Sequence, residues 1–189
     1  VTFNQPRMII LYIVLALVIS LGSRFYTWFF YTVHEFFLKL KIPHVIKPAL
    51  GGLLTGIIGY FFLPALCSGY GTIQEALRFD SLGAGEKITL VSLLGVFLFK
   101  TLTTAFSVGS GGAGGIFGPA IVVGGALGGS VGIILNALLP DWNVPVGAFT
   151  LVGMVAFFGC AAKTPISTVL MVSEMTGNYK LLVPSMWVC

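Results

Sequence analysis

Few side chains in this sequence could do chemistry. It holds two histidines, three cysteines and six acidic residues among 189. His34-Glu35 opens as a zinc-protease helix would, but the second histidine position is occupied by Leu38, so no metal pair forms. Cys67, Cys160 and Cys189 show no paired spacing and lie in or beside apolar segments, which reads as buried reduced thiols. No two acids pair as general acid and base, so catalysis has no visible machinery and the chain is not expected to be an enzyme. Neither metal nor organic cofactor is implied. What remains is backbone chemistry, concentrated between Ser107 and Gly132: eleven glycines in 26 residues, with no charged side chain.

Glycine costs a helix roughly 1 kcal/mol per position relative to alanine, and these glycines divide into two kinds. From Gly124 onward they fall at helical spacing: Gly124 with Gly128, Gly125 with Gly129, Gly128 with Gly132. Such small-xxx-small pairs let a second helix approach closely in lipid, where no hydrophobic drive exists for association. Gly52 and Gly56 repeat that pattern. The run Gly109–Gly115 differs, because five glycines in seven residues cannot hold a helix. Pro119 follows, comfortable only in a helix's first turn. The spacing predicts a glycine loop, with Ser110, Gly111, Gly114 and Gly115 shaping it, that ends in a helix start at Ile116, Phe117, Gly118 and Pro119.

A helix start carries unpaired N–H groups and about half a positive charge. At mid-membrane depth these need an acceptor, and an anion can approach glycine backbone unobstructed by Cβ. The loop has no Lys or Arg, which suits an ion that must leave again. A tight turn with its N–H groups bonded to carbonyls or water is the alternative, and the residues alone leave both open.

Other matches carry less. Gly109, Gly111 and Gly114 fit G-x-G-x-x-G, yet no acid occurs between Glu86 and Asp141 and the flanks are membrane-length, so a dinucleotide site is excluded. Ser68-Gly-Tyr-Gly71 shares letters with a potassium filter but lacks an adequate preceding pore helix, and reads as a loop. Glu174 and Lys100 each lie toward the end of an apolar segment, where structural hydrogen bonding or pairing is expected of them.

The elements that position the loop are those of a membrane protein. Hydrophobic residues make up 57% and charged residues 8%, against about 25% charged in soluble domains. The net charge of +4 arises from basic residues scattered between apolar runs, as loops at anionic headgroups require, and not from a nucleic-acid-binding face. Apolar segments are predicted over 8–38, from Pro48 to near Pro64, over 88–108, 116–139 and 146–162. A short interfacial helix is expected over 72–78, and short pieces over 165–175 and 181–189. A span needs about 20 residues, so the first segment must tilt or project, and the last two cannot cross. Half-helices of that kind mark the ion or substrate site in many transporters. The fold class expected is an all-α polytopic membrane protein of tilted and broken helices. The opening Val1 and the end at Cys189 inside an apolar run suggest a piece of a longer polypeptide.

Taken together, GSGGAGGIFGPA, KTPISTVLMVSEMTGNY and SGYGTIQEAL resemble the CLC family of chloride channels and chloride/proton antiporters. The family's anion motif G-x-F-x-P matches Gly115-Ile116-Phe117-Gly118-Pro119, and its proline-led helix with EMT-x-N-Y matches Pro165 to Tyr179. The resemblance covers nearly the whole of 1–189, in family order, and looks like the C-terminal half of the membrane core. It implies homodimers with one pore per subunit, two inverted-topology halves, and chloride held mid-membrane by the backbone N–H groups of Ile116 and Phe117. It also implies that the helices over 165–175 and 181–189 contribute to the dimer interface. The family's G-S-G-I-P serine, its G-R/K-E-G-P gating glutamate and its tyrosine ligand on the last helix do not occur in this sequence. The expected partners are therefore the lipid bilayer, chloride and the missing N-terminal half, with no nucleic acid, and the expected location is a membrane, the plasma membrane for a prokaryotic source. The competing expectations are a cation-coupled solute transporter with a broken-helix substrate site, and an assembly protein whose glycines serve only packing.

Overall fold

The computed structural model describes residues 7–66, 69–82, 90–142, 144–176, 185, 186 and 188. Seven α-helices occur among these residues, and no strand. The first, α1 (Arg7–Lys39), has 33 residues and so runs about 50 Å at 1.5 Å per residue, well beyond a bilayer's hydrocarbon core. Next come α2 (Ile46–Phe61), a 3₁₀ turn (Leu63–Ala65) and α3 (Tyr70–Leu82). Then follow α4 (Leu90–Gly109), α5 (Phe117–Leu138), α6 (Val146–Ala162) and α7 (Pro165–Thr176). The helices α1, α4 and α5 are long and apolar enough to cross a membrane, whereas α2 and α6 are shorter apolar helices.

The centre of the assembly is α5, in which every residue from Ala120 to Gly132 is buried. It lies most intimately against α6, and α4 flanks it on another side. Glycine makes this possible. A Cβ on Gly124 would lie 2.6 Å from the carbonyl oxygen of Gly153, and one on Gly153 would lie 2.8 Å from the Cα of Gly128. A Cβ on Gly128 would run into the carbonyl oxygen of Phe149. Gly132 faces the Cα of Val146 at 3.2 Å, Gly129 the Thr150 hydroxyl at 2.9 Å, and Gly125 the Met154 side chain at 2.8 Å. Those of Gly124, Gly128, Gly132 and Gly153 are backbone-to-backbone approaches between the two helices, which larger residues would hold apart. Two large apolar clusters, besides a small one in which Val33 and Phe37 of α1 meet Ala105 of α4, complete the core. One joins α1 to α5 and α6 through Leu15, Ile19, Val123, Phe149 and Phe157; the other joins α3 and α4 to the far side of α5.

Three expectations from the sequence are corrected. Gly52 and Gly56 meet nothing within 4 Å; the tight contacts in α2 are made by Gly51, against Phe106 of α4 and Ser110 just beyond it, and by Gly59, against Leu66. The reason is helical register, because Gly51, Thr55 and Gly59 share one face and each neighbour is turned about 100° away. The helix expected over 72–78 runs over Tyr70–Leu82, so Tyr70 and Gly71 form its first turn instead of a loop. Its Ile73 and Ala76, each 1% exposed, are core residues. Lys100 lies well inside α4, 5% exposed, and its Nζ donates to the carbonyls of Ala65 at 3.1 Å and Leu66 at 3.4 Å. The buried amino group thus bonds two carbonyls at the end of the 3₁₀ turn. Cys67, Ser68, residues 177–184, Trp187 and Cys189 lie outside the described residues, so the expected helix over 181–189 is represented only by Ser185, Met186 and Val188, all helical.

Candidate anion site

The site is made by where α4 stops and α5 starts. The end of α4 is held by three hydrogen bonds. Gly111 N–H donates to the Val108 carbonyl at 3.0 Å, and the Ser110 hydroxyl donates to the Ser107 carbonyl at 3.0 Å. From α1, His34 Nδ1–H donates to the Gly109 carbonyl at 3.0 Å, so the ring is protonated on that nitrogen. Gly111, at φ +96°, takes the left-handed turn that ends the helix, a conformation natural to glycine. The chain then runs open through Gly114 and Gly115, both exposed, to Ile116.

Ile116 is the N-cap of α5, with φ −90° and ψ −15°, and no side chain caps the helix. The first helical bond runs from Ala120 N–H to the Ile116 carbonyl, 3.1 Å. The first helical donor is Ala120, so the N–H groups of Phe117 and Gly118 before it have no acceptor within the helix, and Pro119 has no N–H to offer. Their partial positive charge is the site's electrostatic content. Beside them stand two aromatic side chains. Phe117 packs edge-on to Phe158 with ring centroids 4.8 Å apart, which fixes the first turn against α6. The hydroxyl of Tyr70, at the start of α3, lies 3.8 Å from where a Cβ on Gly118 would be.

The loop and helix-start residues singled out in the sequence, Ser110, Gly111, Gly114, Gly115, Ile116, Phe117, Gly118 and Pro119, thus form one continuous turn. Ser110 does not join the open side: it is 4% exposed, bonded back to Ser107, and wedged beside Gly51. The group Gly124, Gly125, Gly128, Gly129 and Gly132 lies further along α5, in the interface with α6 and α3. His34 and Tyr70 were not legible as neighbours of the loop, because each is separated from it in sequence and resembles an ordinary membrane-helix residue. Among the described residues no group of three His, Cys, Asp or Glu side chains could hold a metal. The ion pair Lys39–Glu35, 3.5 Å, is exposed at i,i+4 spacing on α1, so it contributes little.

Membrane-length helices around an α5 that starts uncapped behind a glycine loop define a polytopic membrane protein of the broken-helix kind. The description of the voltage gated chloride channel family matches residues 2–189, and the chain belongs to that family. It is 35% identical over 143 residues to the H(+)/Cl(-) exchange transporter ClcA of Cronobacter sakazakii, covering 74% of this chain and 29% of that protein. It is 32% identical over 188 residues to the chloride channel protein CLC-f of Arabidopsis thaliana, covering 96% of this chain and 24% of that one. The voltage-gated ClC-type chloride channel ClcB of Escherichia coli is 35% identical over 149 residues, 79% of this chain and 34% of the relative. The fold superposes on the crystal structure of a slow cyanobacterial Cl-/H+ antiporter with a TM-score of 0.80 at 21% identity, covering 100% of this chain and 44% of that one. The chain therefore spans less than half the length of each of these proteins.

Proposed function

We propose that the protein to which this chain contributes moves chloride, or a similar monovalent anion, across a membrane, and that the backbone N–H groups of Ile116 and Phe117 hold the ion. One observation carries this reading: α5 begins without a side-chain cap, behind a loop whose Gly114 and Gly115 are exposed and whose residues carry no charge. Fixed N–H dipoles replace part of the ion's hydration shell, and no lysine or arginine on the loop traps it. Gly118 contributes a further N–H and Pro119 fixes the first turn. The function involves no covalent chemistry and needs no cofactor.

The relatives' names support the ion's identity, since exchange transporters and channels among them are both named for chloride. We further propose that residues 1–189 form the C-terminal half of the membrane core, that an N-terminal half supplies the other wall of the pore, and that the protein works as a homodimer in the plasma membrane. In that arrangement α7 contributes to the dimer interface. The test uses the full-length parent protein in liposomes, with chloride efflux and external pH recorded together. Chloride efflux that moves protons against their gradient makes the protein an antiporter; efflux without proton movement makes it a channel. Absence of chloride efflux refutes the reading.

A further inference from the structure

Between α4 and α5 the loop leaves a row of N–H groups without acceptors. Gly111 donates to Val108, and the next backbone bond is that of Ala120 to Ile116. The N–H groups of Gly112, Ala113, Gly114, Gly115 and Ile116 therefore bond no backbone carbonyl among the described residues. Any carbonyl that reached them would compete with an anion for the loop. The nearest carbonyls in the chain are the last ones of α4, which no helical donor satisfies and which carry the helix's negative end. Two of these are answered locally, Ser107 by the Ser110 hydroxyl and Val108 by the Gly111 N–H, each at 3.0 Å. The Gly109 carbonyl has no such local donor. It precedes the N–H groups of Gly112 and Ala113 by three and four residues, the spacings at which a 3₁₀ turn or an α-helix closes.

That carbonyl is held instead by His34 Nδ1–H, 3.0 Å away and 75 positions earlier in the chain. Packing builds the contact. A Cβ on Gly109 would lie 3.5 Å from the His34 backbone nitrogen and 3.7 Å from its Cα, so α1 and α4 approach closely at this point. Val33 and Phe37, the residue before His34 and the one a turn after it, are buried in one cluster with Ala105 of α4. We infer that His34 is a positioning residue for the anion site: by holding the Gly109 carbonyl against α1, it keeps the nearest competing acceptor off the loop N–H groups and leaves them to the ion. His34 acts through Gly109 and does not itself touch the ion. The inference rests on the proposed function, because it concerns how the approach to the start of α5 stays open to an anion. Linkage makes the effect reciprocal: a bond that favours anion binding is itself favoured when the anion is bound.

The experiment uses the full-length parent protein in detergent, with chloride binding by calorimetry and thermal unfolding measured for His34→Leu and His34→Asn. Asparagine carries an amide N–H that can replace the Nδ1–H donor, whereas leucine has none. The expected result is a chloride dissociation constant raised about tenfold in H34L, as the loss of one hydrogen bond allows, and close to the parent's in H34N. A folded H34L with the parent's dissociation constant and only a lowered unfolding midpoint makes the bond purely structural and overturns the inference. Equal weakening in both variants overturns it too, because the donor is then not what matters. The parent gives a second reading by nuclear magnetic resonance with nitrogen-15-labelled histidine. Chloride titration should shift the His34 Nδ1–H signal with the calorimetric dissociation constant, and a signal unmoved at saturation overturns the inference even if H34L does not fold. Chloride binding and efflux with His34 unmoved leave the proposed function standing; a parent that neither binds chloride nor passes it removes both readings.

Discussion

The substitution Gly118→Asp puts a fixed negative charge where the proposed site needs none. Gly118 is the second residue of α5, and a Cβ there meets only the Tyr70 hydroxyl, at 3.8 Å, so the side chain has room. An aspartate in the first turn is also favoured by the helix dipole, by about 0.3–1 kcal/mol. Folding should therefore survive, and Gly118→Ala serves as the steric control. The carboxylate would lie roughly 5 Å from an ion bound to the same turn's amides, and two like charges at that separation repel by about 3 kcal/mol at an effective dielectric constant of 20. That corresponds to roughly a hundredfold loss of occupancy, since each 1.4 kcal/mol is a factor of ten. Salt screening of a partly open site reduces this to about tenfold at the least. The assay is chloride efflux from liposomes containing the full-length parent, compared at pH 7 and near pH 4, where an aspartate with an ordinary pKa of about 3.9 is half neutralised. The expected pattern is near-normal flux in G118A, strongly depressed flux in G118D at pH 7, and partial recovery in acid. Normal flux in a folded G118D at pH 7 would refute the argument that α5's amino end holds the ion.

Other consequences are structural. Gly128→Ala should lower stability by about 1–3 kcal/mol, because the new methyl meets backbone atoms of Phe149 and Gly153 that cannot swing aside; thermal unfolding in detergent measures it, and Gly52→Ala, with nothing nearby, should leave the midpoint unchanged or raised. Gly111→Ala should cost about 1 kcal/mol or more because φ +96° strains any side chain, whereas Gly115→Ala should be tolerated, having open space and no such dihedral. Lys100→Met should destabilise by about 1–3 kcal/mol by stripping the Ala65 and Leu66 carbonyls of a buried donor, read as an earlier loss of helical circular dichroism on heating. Residues 1–189 reconstituted alone should show no specific chloride conduction, because the other proposed wall of the pore is absent; conduction by this piece in a flux assay would refute the half-core reading.

Much of the helical framework was legible because apolar runs, prolines and glycines punctuate it. The stretch 146–162 matches α6 to the residue, and Pro165 opens α7 as a proline at a helix start should. Register was less legible. In α2, Gly51, Gly52, Gly56 and Gly59 are all candidates for close packing, and spacing alone cannot say which pair faces protein. A rotation of one residue separates the face carrying Gly51 and Gly59 from the one carrying Gly52 and Gly56, and only the position of α4 selects between them. The same limit explains Lys100. Its burial inside α4 depends on carbonyls 34 and 35 positions earlier, which the sequence order does not bring into view.

The candidate site shows why glycine density alone is ambiguous and why its surroundings resolve it. Gly124, Gly128 and Gly153 are small because another helix backbone occupies the space a side chain would take. Gly115 is small with nothing within 4 Å of its missing Cβ, and it precedes a helix start that no side chain caps. A packing glycine is accounted for by its neighbour; one facing open space is not, and Gly115 is free of positive-φ demand as well. Of the reasons for glycine, access to the backbone remains. That reason holds for Gly115 and fails for Gly111, whose dihedral suffices, and for Gly112, whose Cβ would lie 2.5 Å from the Ser107 carbonyl oxygen. The five glycines of the loop therefore do not share one role. The reading of the site as an anion cradle rests on the last of them, next to Ile116, and on the N–H groups that follow.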